Sequence, residues 1–158
     1  MTPPKTTKRS RPPNTKRSAS EIAPGVFVGG WKDAERFEGR KICVLDEVPE
    51  EGIADATYIP IYDGARDAPI RANLERIVGL VDTARAKDEP VLLFCGYGVR
   101  RGSLAGAWYL HRHDGISLDE AYGRVRAVRP QIEEVKKWVG RWDLLYDPEP
   151  GRPRSTKP

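Results

Sequence analysis

"VLLFCGYGVRRGS", residues 91–103, runs four apolar residues directly into a thiol, two glycines and a pair of arginines. The stretch Val91–Phe94 offers no polar position to solvent, as expected of a strand covered on both faces in a parallel sheet. From Gly102 onward, "GSLAGAWYLHRH" has helical spacing with small residues early, so a helix is expected to begin near Arg101. The segment between is therefore a strand-to-helix turn at a helix N-terminus, where backbone N–H groups and the helix dipole together favour an anion. Gly96 and Gly98 let the backbone curl without side-chain interference. The planar fork of Arg101 matches two oxygens of a phosphate. The same field lowers the pKa of a thiol, so Cys95 is expected as a thiolate near neutral pH. A nucleophile facing a captured phosphate is half of a phosphoryl-transfer site.

Working outward, short β-branched runs in "GVFVGG", "KICVLD" and "ATYIPIYD" read as strands, the last interrupted by Pro60 and so near a strand end or sheet edge. "PIRANLERIVGLVDTARAK" carries apolar residues at 70, 74, 77, 78 and 81, with Pro69 at its start, and predicts an amphipathic helix. Ser117 and Glu120 form a capping box opening a helix over "SLDEAYGRVRAV". Pro130 then opens a fourth expected helix, "PQIEEVKKWVGRWDLL". Strands, a helix, a strand, then helices predict a single α/β domain with a small central mixed, mostly parallel sheet flanked by helices.

The 158 residues suffice for one such domain. Nine of the 27 Lys and Arg lie in residues 1–20 and 151–158, leaving 18 against all 23 acids and a body charge of −5. The basic stretch 1–20, with four prolines and only Met1 and Ala19 apolar, is expected to be disordered, the folded body to run over 21–146, and 147–158 to be a second tail. An anionic partner for the basic tail is the sharper reading of its charge, a solvated extension the plainer one. No apolar run is long enough to span a membrane, and no apolar leader follows the basic start. Two cysteines make no disulfide framework, which points to a reduced compartment, the cytoplasm. Neither lies in a C-x-x-C pair, and Cys43 is read as a buried small residue. His111 and His113 are read as helix surface.

Cys95, Gly98 and Arg101 match the C-x-x-G-x-x-R loop of the cysteine-dependent protein phosphatases, and the chain most resembles their dual-specificity branch. "APGVFVGG" is similar to the family's opening strand, "YIPIYDG" to the segment bearing its acid, and "AWYLHRHDGISLDEAYGRVRAVRPQI" to its two following helices. The resemblance implies a protein tyrosine phosphatase-like fold and metal-free, cofactor-free hydrolysis of a phosphomonoester through phosphocysteine. Cys95 would be the nucleophile and Arg101 the phosphate clamp. Asp63, ending a strand beside Gly64, would be the general acid and base, with Asp67 the rival acid. Gly96, Tyr97, Gly98, Val99, Arg100 and Gly102 complete the candidate substrate-binding set. A monomer acting on phosphorylated protein is expected.

Two positions depart from the family pattern. Phe94 stands where His usually precedes the cysteine, and Gly102 where Ser or Thr usually follows the arginine, with Ser103 one place later. They fall on the tuning of the thiolate and on its departure from phosphocysteine. A phosphate-binding pseudophosphatase that recognises phosphorylated partners is therefore the alternative of another class. RNA 5′-phosphates and phosphoinositides are the alternative substrates, although the loop carries no lysine of the kind found in phosphoinositide-selective relatives.

Overall fold

The computed structural model describes residues 18–47, 51–61 and 67–139. Five strands form one sheet: β1 (Ser20–Ala23), β2 (Val26–Gly29), β3 (Arg40–Cys43), β4 (Ala56–Tyr58) and β5 (Val91–Phe94). Their order is β1-β2-β5-β3-β4, with β1 antiparallel to β2 and every other pairing parallel. The helices are α1 (Trp31–Arg36), α2 (Asp67–Ala86), α3 (Arg101–Asp114) and α4 (Leu118–Val128), followed by a 3-10 turn at Lys136–Val139. This is the mixed, mostly parallel sheet expected, and β4 lies at its edge.

β5 sits at the centre because both its faces are apolar. Leu93 pairs with Val28 on one side and Ile42 on the other, and all three join the core under α2, α3 and α4. Phe94 pairs with Gly29 and Cys43 and faces the opposite layer, a smaller cluster with Ala34 of α1 and Leu92. The alternation continues past the strand end, so Cys95 emerges on the face of the larger cluster. Cys43 and Cys95 therefore lie on opposite faces of the sheet, and burial pushes the Cys43 thiol up from its ordinary pKa. It is a core residue.

The helix starts carry their sequence signals. Ser117 caps α4, its Oγ accepting the Glu120 N–H at 3.0 Å, and Gly115 ends α3 in the left-handed region at φ 70°. α1 was not legible as a helix, since six residues are too few for a period to show. Asp33 fixes its start by accepting the Gly30 N–H at 2.9 Å.

Three expectations are corrected. Residues 18–20, assigned by composition to the tail, join the body: β1 begins at Ser20. No α-helix opens at Pro130. The Glu133 N–H goes to the Val99 carbonyl at 2.9 Å and the Val135 N–H to the Tyr122 hydroxyl at 3.4 Å, so tertiary acceptors take the donors a helical ladder would need. His111 is not surface but fully buried, its Nδ1–H donating to the Ile116 carbonyl at 2.6 Å, and burial pushes its pKa down.

Candidate active site

Parallel sheets present ligands beyond the carboxyl ends of their strands, and that edge collects the chemistry here. β5 delivers Cys95, 5% exposed, and α3 begins at Arg101 as expected. No side chain caps α3 and its first turn holds no acid, so the positive end of its dipole faces the loop. The Gly98 N–H points at Cys95 Sγ from 3.1 Å and the Gly102 N–H from 3.3 Å. Two backbone N–H groups of the loop and of α3 thus converge on one sulfur.

Only one of the two loop glycines is required by its conformation. Gly98 has φ +71°, and a Cβ there would meet the Gly29 carbonyl oxygen at 2.6 Å. A Cβ on Gly96 meets nothing within 4 Å. Close approach is demanded instead at Gly30, where a Cβ would lie 2.6 Å from the Gly96 oxygen. The sequence reading gave Gly96 a role that belongs to Gly30.

Arg101 is held on three sides. Its Nε donates to the Ile61 carbonyl at 2.8 Å, its Nη2 pairs with Asp46 Oδ2 at 3.2 Å, and its guanidinium lies 5.5 Å from the Trp138 ring centroid. Arg100 stacks on the same indole at 5.8 Å. A cavity of about 430 Å³ is lined by Cys95, Gly96, Tyr97, Val99, Arg100 and Arg101, together with Leu45 and Glu133. The structure thus brings Cys95, Arg101 and the loop between them into one pocket, with Tyr97 78% exposed at its rim. Gly98 and Gly102 stand on the sulfur. Asp63 lies outside the described residues, as does the side chain of Asp67.

Three contributors escaped the sequence reading. Asp46 had a signal available: it follows the strand "KICVL" as Asp63 follows "YIPIY", and carboxylates just beyond parallel strands face the site. Trp138 and Arg129 had none, because their roles arise only when the chain after α4 returns to the loop. Ser103, one place after the family's hydroxyl position, does not reach the sulfur. It is buried, and its Oγ donates to the Val99 carbonyl at 2.8 Å, with the Arg100 carbonyl at 3.0 Å. Among the described residues no group of three or more His, Cys, Asp or Glu could hold a metal ion, and no helix is long and apolar enough to cross a membrane.

Comparison with known proteins agrees with this geometry. The model of the dual specificity phosphatase catalytic domain matches residues 43–142. The chain is similar to dual specificity protein phosphatase MPK-4 of Drosophila melanogaster, 30% identical over 140 residues that cover 81% of this chain and 36% of that protein. It is also similar to dual specificity phosphatase 28 of Mus musculus, 27% identical over 124 residues, 72% of this chain and 75% of that one. The crystal structure of human DUSP28 superposes with a TM-score of 0.63 at 23% identity, covering 81% of this chain and 89% of that chain. The chain spans well under half the length of some of these relatives and about three quarters of others. A thiol receiving loop N–H groups beside a fixed arginine, on this sheet, with these relatives, places the chain in the dual-specificity branch of the cysteine-dependent protein phosphatases.

Proposed function

We propose that this domain hydrolyses phosphomonoesters on protein side chains, phosphotyrosine foremost and phosphoserine and phosphothreonine besides, in the cytoplasm and through a phosphocysteine intermediate. The observation that carries this reading is the Cys95 sulfur, which receives the Gly98 and Gly102 N–H groups inside the cavity that Arg101 lines. Sγ attacks phosphorus as the bond to the leaving oxygen breaks, and that oxygen takes a proton from Asp63. Water then attacks the phosphocysteine, giving its proton to the Asp63 carboxylate, and phosphate and the Cys95 thiolate separate. Loop N–H groups and Arg101 bear the charge on the equatorial oxygens throughout. The exposed Tyr97 offers a face on which a phosphorylated aromatic side chain stacks.

The test is Asp63→Ala against Asp67→Ala, assayed on para-nitrophenyl phosphate, a phosphotyrosine peptide and an inositol phospholipid. Asp63→Ala is expected to flatten the alkaline limb of the pH–rate profile. It should cost about 10²–10⁴-fold on the peptide, whose leaving group needs the proton, and less on para-nitrophenyl phosphate. The same pattern from Asp67→Ala reassigns the acid. Faster turnover of the lipid than of the peptide overturns the substrate class.

Hydrolysis of phosphocysteine is expected to be the slow step. A Cβ at Gly102 would lie 3.4 Å from Cys95 Sγ, so the position faces the sulfur yet supplies no hydroxyl, and the Ser103 hydroxyl is committed elsewhere. Rapid mixing should show a burst of released alcohol followed by slow turnover. Gly102→Ser should raise kcat several-fold with kcat/KM nearly unchanged, since kcat/KM reports only the steps through first release. No burst and no gain would mean that another group already assists departure of the thiolate.

A further inference from the structure

Arg129 follows α4 and is fully buried, yet its hydrogen-bond partners are four neutral oxygens. Nε donates to the Gly98 carbonyl at 2.9 Å and Nη2 to the Tyr97 carbonyl at 2.8 Å. Nη1 donates to the Ser18 carbonyl at 2.6 Å and to Ser20 Oγ at 2.9 Å. Among the described residues no carboxylate hydrogen-bonds the guanidinium. Burying a cation without an ion pair is costly, so the fold keeps a positive charge here against its own desolvation.

The geometry of the peptide unit shows what the cation does. In a trans peptide the C=O of one residue and the N–H of the next point in opposite directions. Every carbonyl from Gly96 to Val99 is held from the protein side. Gly96 accepts from the Trp31 N–H at 2.9 Å, Tyr97 and Gly98 accept from Arg129, and Val99 accepts from Ser103 Oγ at 2.8 Å and the Glu133 N–H at 2.9 Å. With the carbonyls turned out, the following N–H groups turn in, and the Gly98 N–H does reach Cys95 Sγ at 3.1 Å. Arg129 holds the middle two of these four peptides with one rigid fork. The family's usual histidine before the cysteine is absent, and Phe94 is instead fully buried edge-on to Trp31 at 5.6 Å, in an apolar layer.

We propose that Arg129 positions the phosphate-binding loop, turning the Gly98 and Val99 N–H groups toward thiol and phosphate with its own charge behind them, while its third nitrogen ties the Ser18–Ser20 segment to the same clamp. The proposal rests on the phosphatase reading of the pocket, but it concerns anion binding and so is testable without turnover. Burial lowers the Arg129 pKa while Asp33 and Cys95 raise it, and a guanidinium remains charged throughout the working range.

The experiment measures orthovanadate affinity by calorimetry, kcat and KM on para-nitrophenyl phosphate, and thermal midpoint for the full chain and three variants. Arg129→Met should weaken vanadate about 100-fold and lower kcat in step, the order of loss when preorganised donors are removed from an oxyanion. Arg129→Lys returns the charge and one or two donors and should recover about tenfold of that loss. Ser20→Ala touches only Nη1 and should lower the thermal midpoint while vanadate affinity stays within about twofold. A folded Arg129→Met with wild-type vanadate affinity overturns the proposal, as does a vanadate loss that simply tracks the thermal midpoint across all three variants. If neither Arg129 variant folds, amide NMR of the unmodified chain decides. The Gly98 and Val99 N–H signals must shift on vanadate binding, and their failure to shift overturns it. Vanadate affinity that follows these expectations in a chain without turnover would leave the clamp standing and remove the phosphatase reading instead.

Discussion

Cys95→Ser is expected to abolish turnover of both para-nitrophenyl phosphate and phosphotyrosine peptide, by roughly 10⁴-fold or more, as when a covalent nucleophile is removed. The phosphopeptide should still bind. The loop is expected to keep its shape without the sulfur, because Trp31, Arg129, Ser103 and Glu133 hold its carbonyls from outside. Arg101 is likewise fixed by Ile61, Asp46 and Trp138 rather than by the thiol. A serine hydroxyl occupies less space and is a far weaker nucleophile at neutral pH than a thiolate. Retained activity in Cys95→Ser would move the chemistry to another group. Loss of peptide binding together with turnover would show that the sulfur's contacts with the Gly98 and Gly102 N–H groups, and not the outer contacts, organise the loop. A wild-type chain that binds phosphopeptide as tightly as the variant and never turns it over would make the domain a recognition module.

The strand, loop and helix around Cys95 were legible because each rests on local sequence. Four apolar residues demand burial on both faces, Gly98 supplies the one backbone angle that needs glycine, and small residues after Arg101 allow α3 to pack against β2 and β5. Nothing local distinguishes Arg129 from its neighbours. Arg124 and Arg126 stand on the same stretch and make exposed pairs with Asp114 and Glu134, as surface arginines do. Arg129 differs only because α4 ends there and the chain turns under the loop, a contact 31 residues away in sequence. The segment after Pro130 misled for a related reason. Ile132, Val135, Trp138 and Val139 have near-helical spacing and are all buried, yet they reach the core from an irregular stretch and a 3-10 turn, with the Glu133 and Val135 amides given to Val99 and Tyr122. Apolar spacing registers burial and is blind to where the backbone donors go. Composition likewise assigned Ser20 to the basic tail, although Ser20 pairs in the sheet with Val28 and donates no apolar surface that a pattern could register.

Arg101→Lys is expected to reduce kcat/KM by about 10³-fold, although the charge is conserved and the fold should not change. The reason lies in how many directions the guanidinium serves at once. Nε is occupied by the Ile61 carbonyl and one Nη2 hydrogen by Asp46, while the ring of Trp138 supports the flat face. In the proposed mechanism, these anchors leave the remaining N–H groups to grip a phosphate in the cavity that Arg101 and Cys95 share. An ammonium has three donors on a flexible stem and no flat face. It cannot satisfy Ile61, Asp46 and two phosphate oxygens together, so each catalytic cycle would have to break an anchor before gripping the substrate. Because the trigonal phosphoryl group in transit carries its charge in the plane that a fork matches, the loss should fall more on kcat than on KM. Asp46→Asn keeps an acceptor for Nη2 and should cost only about tenfold. Steady-state kinetics on para-nitrophenyl phosphate reads both. An Arg101→Lys enzyme within tenfold of wild type would mean that charge alone suffices and that the loop N–H groups, held by Arg129, carry the orientation.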